Sequence, residues 1–402
     1  MLDSIKKKQI SAVMGKHFIL MNLIFPLYSS SVGQAYSPDI VYANLFAVMF
    51  VGLACLEGNI EWKRRSWLGY AVAFFLLCFN VFAFYVNKSF FGWYYGQINM
   101  TIAFVFFLAW LFMKEDAACM GEDMVKFLLK AALITNAIGL IPSFLGFQHV
   151  WVSSDGYAFL PKDAWEPRYA WIFSHKSEYS FMLVLFLALS VVYRELYDKK
   201  WQFWASVAVY GVGLVIADTR ATMMAAVFIL AGAVMDSLIK KAGGFKWRYI
   251  AGIVPVIVVG LVVLLISMKD RNVFTLNGRL YIWKGAVKHI LDNPWGIGSM
   301  CGIQYFPVEL AAGGIWEVPN CHNVFLNWLL QYSIPAGFFC IAMMGAIIVA
   351  SIKKNPSFLT LGIWAALLIP MNMDWCVLLA QIPMMLLVLY IVFFRPKKRI
   401  EE

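Results

Sequence analysis

The chain has 402 residues, of which 62% are hydrophobic, 17% aromatic and only 14% charged. Soluble domains carry about a quarter charged residues and about half apolar ones, and surface-to-volume scaling gives no soluble core large enough to hide this much apolar surface. The composition therefore argues against a soluble enzyme, a disordered chain or a nucleic-acid binder. The seven Cys, scattered singly without a Cys-x-x-Cys pair, argue against a zinc module or a disulfide scaffold.

A helix needs about 20 mostly apolar residues to cross a bilayer, and helix is the default because a span must satisfy its own backbone in lipid. About twelve such runs follow one another, near 17–34, 40–57, 67–86, 97–113, 125–147, 175–193, 203–218, 220–238, 249–268, 322–351, 357–373 and 375–394. The expectation is an all-α polytopic membrane protein, one transmembrane domain over 1–402. Basic residues orient it. With the N-terminus inside, the inner segments hold Lys6, Lys7, Lys8 and Lys16, then Lys63, Arg64 and Arg65, then Lys114 and Lys126. Arg194, Lys199 and Lys200, then Lys240, Lys241, Lys246 and Arg248, then Lys353 and Lys354, and finally Arg395, Lys397, Lys398 and Arg399 complete the series. Most of the +10 charge is thus explained without a polyanionic partner. Lys130 stands out as a charge within a span.

Two outside stretches are long, 148–174 and 269–321, and long loops on a rigid scaffold are where function concentrates. Within the second, which separates the ninth and tenth spans, Leu280, Trp283, Val287 and Leu291 recur at helical spacing, with Lys284 and Lys288 on the other face. That pattern predicts an amphipathic helix lying on the outer leaflet, stopped at Asp292-Asn293-Pro294.

The few outside cations occupy telling positions. Arg168 precedes the run at 175–193, Arg220 sits in the tight turn before 220–238, Arg279 opens the amphipathic segment, and His322 opens the run at 322–351. The runs at 175, 220 and 322 all start outside, so each presents free N–H groups and a positive dipole end there. Arginine together with helix N-termini suits a phosphorylated ligand. Each residue also has a structural reading: an arginine snorkelling to headgroups, or Arg220 pairing with Asp218. Asn323, Asn327 and Gln331 share one helix face and fit either a polar seam or a wet groove.

Taken in order, Thr219-Arg220, Gly278-Arg279 with Trp283, Asn293-Pro294-x-Gly296-x-Gly298, His322-Asn323 and Gly337 resemble the O-antigen polymerase and O-antigen ligase superfamily of bacterial membrane glycosyltransferases. Arg168 with Phe173-Ser174-His175 extends the resemblance, which covers roughly 165–350. The resemblance implies a GT-C-like, inverting, metal-independent transferase without cofactor, acting on the outer face of the bacterial cytoplasmic membrane. Its partners would be a polyprenyl-pyrophosphate-linked oligosaccharide, the bilayer, and the flippase and chain-length regulator of the same pathway. By the same resemblance, Arg220 and Arg279 hold the leaving pyrophosphate, His322 acts at the acceptor hydroxyl, and Arg168, Asn323 and Trp283 contact substrate. Glu178 is an alternative base, with Asp218 and Asp374 weaker candidates. The outside tryptophans Trp151, Trp165, Trp171, Trp295 and Trp316 fit either sugar stacking or an interface belt. Cys301 and Cys321 both fall outside and are either bonded or free.

Three functions are consistent with these residues. A polymerase of lipid-linked repeat units is preferred, a ligase moving the finished glycan to lipid A core or another acceptor is the alternative, and a twelve-helix transporter or flippase is the third. The topology is directly testable: reporters fused after Lys241 or Lys354 are expected to read inside, and one at Pro319 outside. The opposite signs would invert the fold and remove the outer-face site.

Overall fold

The computed structural model describes residues 121–153, 156–161, 169–173, 175–243, 278–296, 306–309, 314–318, 320–374 and 382–394, with single helical positions between 13 and 23. The runs expected near 40–57, 67–86, 97–113 and 249–268 lie outside the described residues, as do Arg168 and Cys301. What is described is mostly helical and divides into two compact units.

The first unit holds α1 (Glu122–Phe144), a hairpin of β1 (Phe147–Ser153) and β2 (Gly156–Pro161), α2 (Lys176–Val192), a short 3-10 turn (Arg194–Leu196), α3 (Lys200–Ala217) and α9 (Ile382–Phe394). α1 is long and apolar enough to cross a membrane. One of its faces, with Val125, Leu128, Leu129 and Ala132, is buried, while Ile134, Ile138 and Ile141 stay exposed at helical spacing. α2 is buried on all sides from Ser177 to Val192. Tyr193 ties α9 to it by donating from its hydroxyl to the Ile391 carbonyl at 2.6 Å. Lys130, the in-span charge, meets Asp198 at 2.7 Å in the turn between α2 and α3, and that hydrogen bond holds the Asp198 carboxyl below its ordinary range.

The stretch 148–174 is not purely helical or irregular, as an all-α reading requires. It contains the β1–β2 hairpin, in which Ser153 faces Gly156 across the pair and leaves two residues for the reversal. Alternating Val150, Trp151 and Val152 against Tyr157, Ala158 and Phe159 suits pairing. The following segment is clamped onto the hairpin and the helices. Val150 N–H donates to the Trp171 carbonyl at 2.8 Å, and Ala170 N–H to the Gln148 carbonyl at 3.0 Å. The Tyr169 hydroxyl donates to the Gly139 carbonyl in α1. The Trp171 indole lies so close to Gly139 that a Cβ there would come within 2.9 Å of it.

The second unit holds α4 (Arg220–Lys241), α5 (Arg279–Asp292), a hairpin of β3 (Phe306–Glu309) and β4 (Ile315–Val318), α6 (Val324–Tyr332), α7 (Ile334–Lys354) and α8 (Phe358–Met373). α4 also has the length and apolarity of a span. α4 and α8 run antiparallel in close contact. A Cβ on Gly232 would lie 2.6 Å from the Phe358 carbonyl oxygen, and one on Gly362 would collide with the Phe228 carbonyl. The Asp236 carboxylate accepts from Phe358 N–H at 2.9 Å and Leu359 N–H at 3.0 Å, which caps the α8 N-terminus where free amides favour an anion. Lys240 and Lys241 end α4 and Lys353 and Lys354 end α7, each beside the favourable negative pole of its helix.

The single run expected over 322–351 is two helices. The chain breaks at Ser333, whose φ of 112° no helix accommodates. Pro335 follows and restricts the residue before it. α7 then folds back so tightly that a Cβ on Gly337 would sit 2.7 Å from the Leu329 Cα. In a straight helix those residues would be about 12 Å apart. Ile334 N–H donates outward to the Pro294 carbonyl at 2.9 Å, joining the break to the end of α5.

The glycine contact predicts an asymmetry. Gly232→Ala forces α4 off α8 and should cost about 1–3 kcal/mol, read as a lower melting temperature in detergent. Gly345→Ala, whose Cβ would meet nothing within 4 Å, should leave it unchanged.

Candidate functional site

α5 is the foundation of the site. Its Ile282, Ala286 and Ile290 stripe is buried with Val308, Val318, Cys321 and Leu330 in a small core that joins the β3–β4 hairpin to α6. The apolar residues that the spacing singles out occupy a different face. Leu280, Val287 and Leu291 remain 44%, 45% and 68% exposed, and Trp295 follows at 60%. α5 is therefore two-sided, with one apolar stripe folded onto protein and the other left open.

Trp283, expected to contact substrate, makes a contact within the protein. Its indole N–H donates to the Cys321 carbonyl at 3.1 Å. Arg279 lies one helical turn before Trp283, on the same side of α5. The helix that carries Arg279 is thus held against the segment that carries His322.

Several hydrogen bonds hold residues 320–323. Cys321 N–H donates to Asn327 Oδ1 at 2.9 Å, and His322 N–H to Asn320 Oδ1 at 2.9 Å. His322 takes a left-handed φ of 45°, costly for a residue with a Cβ. Its Nδ1 lies 3.0 Å from Asp374 Oδ1. A carboxylate only accepts, so Nδ1 carries the proton and the neutral ring keeps its lone pair on Nε2. His322 is partly exposed, with a side-chain accessibility of 31% against 11% for Asp374. Cys321 is a buried free thiol, and burial pushes its pKa above the ordinary range.

Asn323 caps α6. Its Oδ1 accepts from Phe325 N–H and Leu326 N–H at 3.0 and 3.1 Å, and its Nδ2 donates to the Asn372 carbonyl at 3.3 Å. Two of the first amides at this N-terminus are therefore satisfied internally and are not free for an anion. The α2 N-terminus is likewise capped, since His175 Nδ1 accepts from Ser177 N–H at 3.2 Å. At α4 the Thr219 side chain makes no capping bond, and Arg220 is the first helical residue.

The α4–α8 register places Arg220. From the contact between Phe228 and Gly362, eight residues back along α4 reach Arg220 and eight forward along α8 reach Pro370, each about 12 Å away. Asp374 follows one turn later, so Arg220 lies at the same end of this pair as the His322–Asp374 couple. Lys240, Lys241, Lys353 and Lys354 lie at the opposite end.

Arg220, Arg279, His322, Asn323 and Trp283 thus share one unit. Glu178 stands in the first turn of α2, buried in the other unit. Trp171 packs against Gly139 and is half-buried, and the side chains of Gln331, Trp151, Trp165 and Trp316 lie outside those described. Asp374 is the residue that sequence reasoning undervalued. It ends α8, where the helix dipole disfavours an acid, and that unfavourable placement at the end of an apolar run was the available signal.

The second unit thus places Arg220 and the His322–Asp374 couple at one end of its α4–α8 pair. Residues 205–341 match the family model described as O-antigen ligase. That match covers about a third of the chain and supports a likeness to the O-antigen ligase and polymerase superfamily, whose members are bacterial membrane proteins of the glycosyltransferase type. Neither a curated protein nor a solved structure matches it. Arg220, Arg279, Trp283 and His322 all fall within the matched region, whereas Asp374 lies beyond it.

The cap gives a stability prediction. Asn323→Ala should lower stability by about 1 kcal/mol, measured as a fall in detergent melting temperature, whereas Asn323→Ser should recover most of the loss.

Proposed function

We propose that the chain is a polysaccharide polymerase that transfers a glycan from a polyprenyl pyrophosphate to a hydroxyl of a second lipid-linked repeat unit, on the outer face of the cytoplasmic membrane. The observation that carries this reading is the His322–Asp374 pair, 3.0 Å apart, at the end of the unit where Arg220 lies and beside the helix that begins with Arg279. The exposed apolar stripe of α5 suits a donor and an acceptor that are both membrane lipids.

In this reading His322 Nε2 accepts the acceptor hydroxyl proton as that oxygen attacks the anomeric carbon from the face opposite the pyrophosphate. The bond from the anomeric carbon to the phosphate oxygen breaks, the configuration inverts, and the pyrophosphate departs with the bonding pair. Arg220 and Arg279 stabilise the charge that develops there, where pre-positioned cations act most strongly. Asp374 orients the imidazole and stabilises the imidazolium, as carboxylates do for catalytic histidines generally.

The test uses purified protein in lipid vesicles with a polyprenyl-pyrophosphate oligosaccharide as the only substrate. A ladder of longer lipid-linked products is expected on a gel. Product only after a different acceptor is added would make the enzyme a ligase, and no transfer under either condition would reject both. His322→Ala should reduce the rate by about 10²–10⁴-fold, and Arg220→Ala by about 10²–10³-fold. Asp374→Asn should also be strongly impaired. Full activity in His322→Ala and Asp374→Asn would overturn the assignment of the base.

A further inference from the structure

We infer that Trp283 and Asn327 are positioning residues for His322, acting through the Cys321 peptide rather than on the substrate. This inference rests on the reading of His322 as the base. His322 holds a left-handed backbone at φ 45°, a state that persists only where the surroundings over-determine it. The over-determination comes from three side chains on three different segments. Trp283 of α5 donates to the Cys321 carbonyl at 3.1 Å, Asn327 of α6 accepts from Cys321 N–H at 2.9 Å, and Asn320 accepts from His322 N–H at 2.9 Å. Both polar groups of the residue before the histidine are therefore held by side chains that do not themselves belong to the reacting pair.

Burial makes these bonds count. Asn327 is 1% exposed and Cys321 fully buried, so a group that loses its partner cannot turn to bulk water. Only the oxygen of Asn327 is engaged: its Nδ2 has no hydrogen-bond partner among the described residues. The amide is thus oriented by the Cys321 N–H alone. The clamp also sets a distance. Trp283 stands one turn from Arg279 on α5, and Asn327 one turn from the Asn323 cap on α6. The bonds that pin the peptide therefore fix the spacing between the helix carrying Arg279 and the histidine. For a displacement in which an attacking oxygen and a leaving phosphate must line up, that spacing is a catalytic variable.

The alternative for Trp283 is a stacking platform for a sugar, and Trp283→Phe separates the two. Phenylalanine keeps an aromatic face and loses the N–H. The positioning role predicts a kcat about tenfold lower and an unchanged KM for the lipid-linked oligosaccharide, beside the modest fall in melting temperature that the loss of one buried hydrogen bond brings. Asn327→Leu should lower kcat in the same direction. Parental kcat in Trp283→Phe, or a rise in KM alone, would overturn the inference, and this variant decides even if Asn327→Leu fails to fold. His322→Ala is measured alongside: its inactivity together with a parental Trp283→Phe would reject the clamp and leave the base assignment standing, whereas an active His322→Ala would reject the base assignment itself.

Discussion

Gly232 and Gly362 allow α4 and α8 to approach until backbone meets backbone, and the geometry of the second unit follows from that contact. Lipid supplies no hydrophobic drive between helices, so close packing and small residues must do so. Here the approach is locked at one end by the Asp236 carboxylate on the first amides of α8. With the register set there, the other end of the pair is determined by helical rise alone. That is what brings the first residue of α4 level with the last turn of α8, and hence a guanidinium to the end at which an acid and an imidazole meet. A shift of one turn, about 5.4 Å, would move Arg220 away from that end.

The segment between α4 and α6 adds the remaining parts through a small core of its own. α5 uses one apolar stripe to hold the β3–β4 hairpin and α6 and leaves a second stripe uncovered. A helix with only one stripe would have to choose between folding onto protein and facing lipid. The break at Ser333 belongs to the same design. It ends α6 early, lets α7 double back over Leu329, and gives Ile334 N–H a partner in the Pro294 carbonyl. A continuous helix through this region would leave the Pro294 carbonyl without the Ile334 N–H.

The chemistry divides its electrostatics accordingly. In the proposed reaction Arg220 and Arg279 meet a departing pyrophosphate, which requires positive charge more than a proton. Asp374, in contact with His322, would meet the opposite demand in that reaction, to stabilise a ring that gains a proton. Asp374 sits at the negative pole of α8, where an acid is least welcome. The placement is tolerable because His322 offers an N–H at 3.0 Å.

Hydropathy and the spread of basic residues were enough to read a helical membrane protein, and the runs at 125–147, 175–193, 203–218 and 220–238 each meet a helix within a few residues of the expected bounds. Apolar periodicity is a local property, so a single chain displays it. Arg220, Arg279 and His322 were singled out because the positive-inside bias disfavours cations on the side where the basic residues place them. What local pattern could not reveal was pairing. The two hairpins depend on partners across a turn, and the interruption at Ser333 depends on a carbonyl nearly forty residues earlier. Trp283 looked like a surface aromatic until its N–H found Cys321, and Asp374 looked like an interface acid until α8 brought it to His322. Sequence determines which residues carry charge and which carry grease; only the packed helices decide which of them touch, because contacts between distant segments are set by register and close approach rather than by any neighbouring residue.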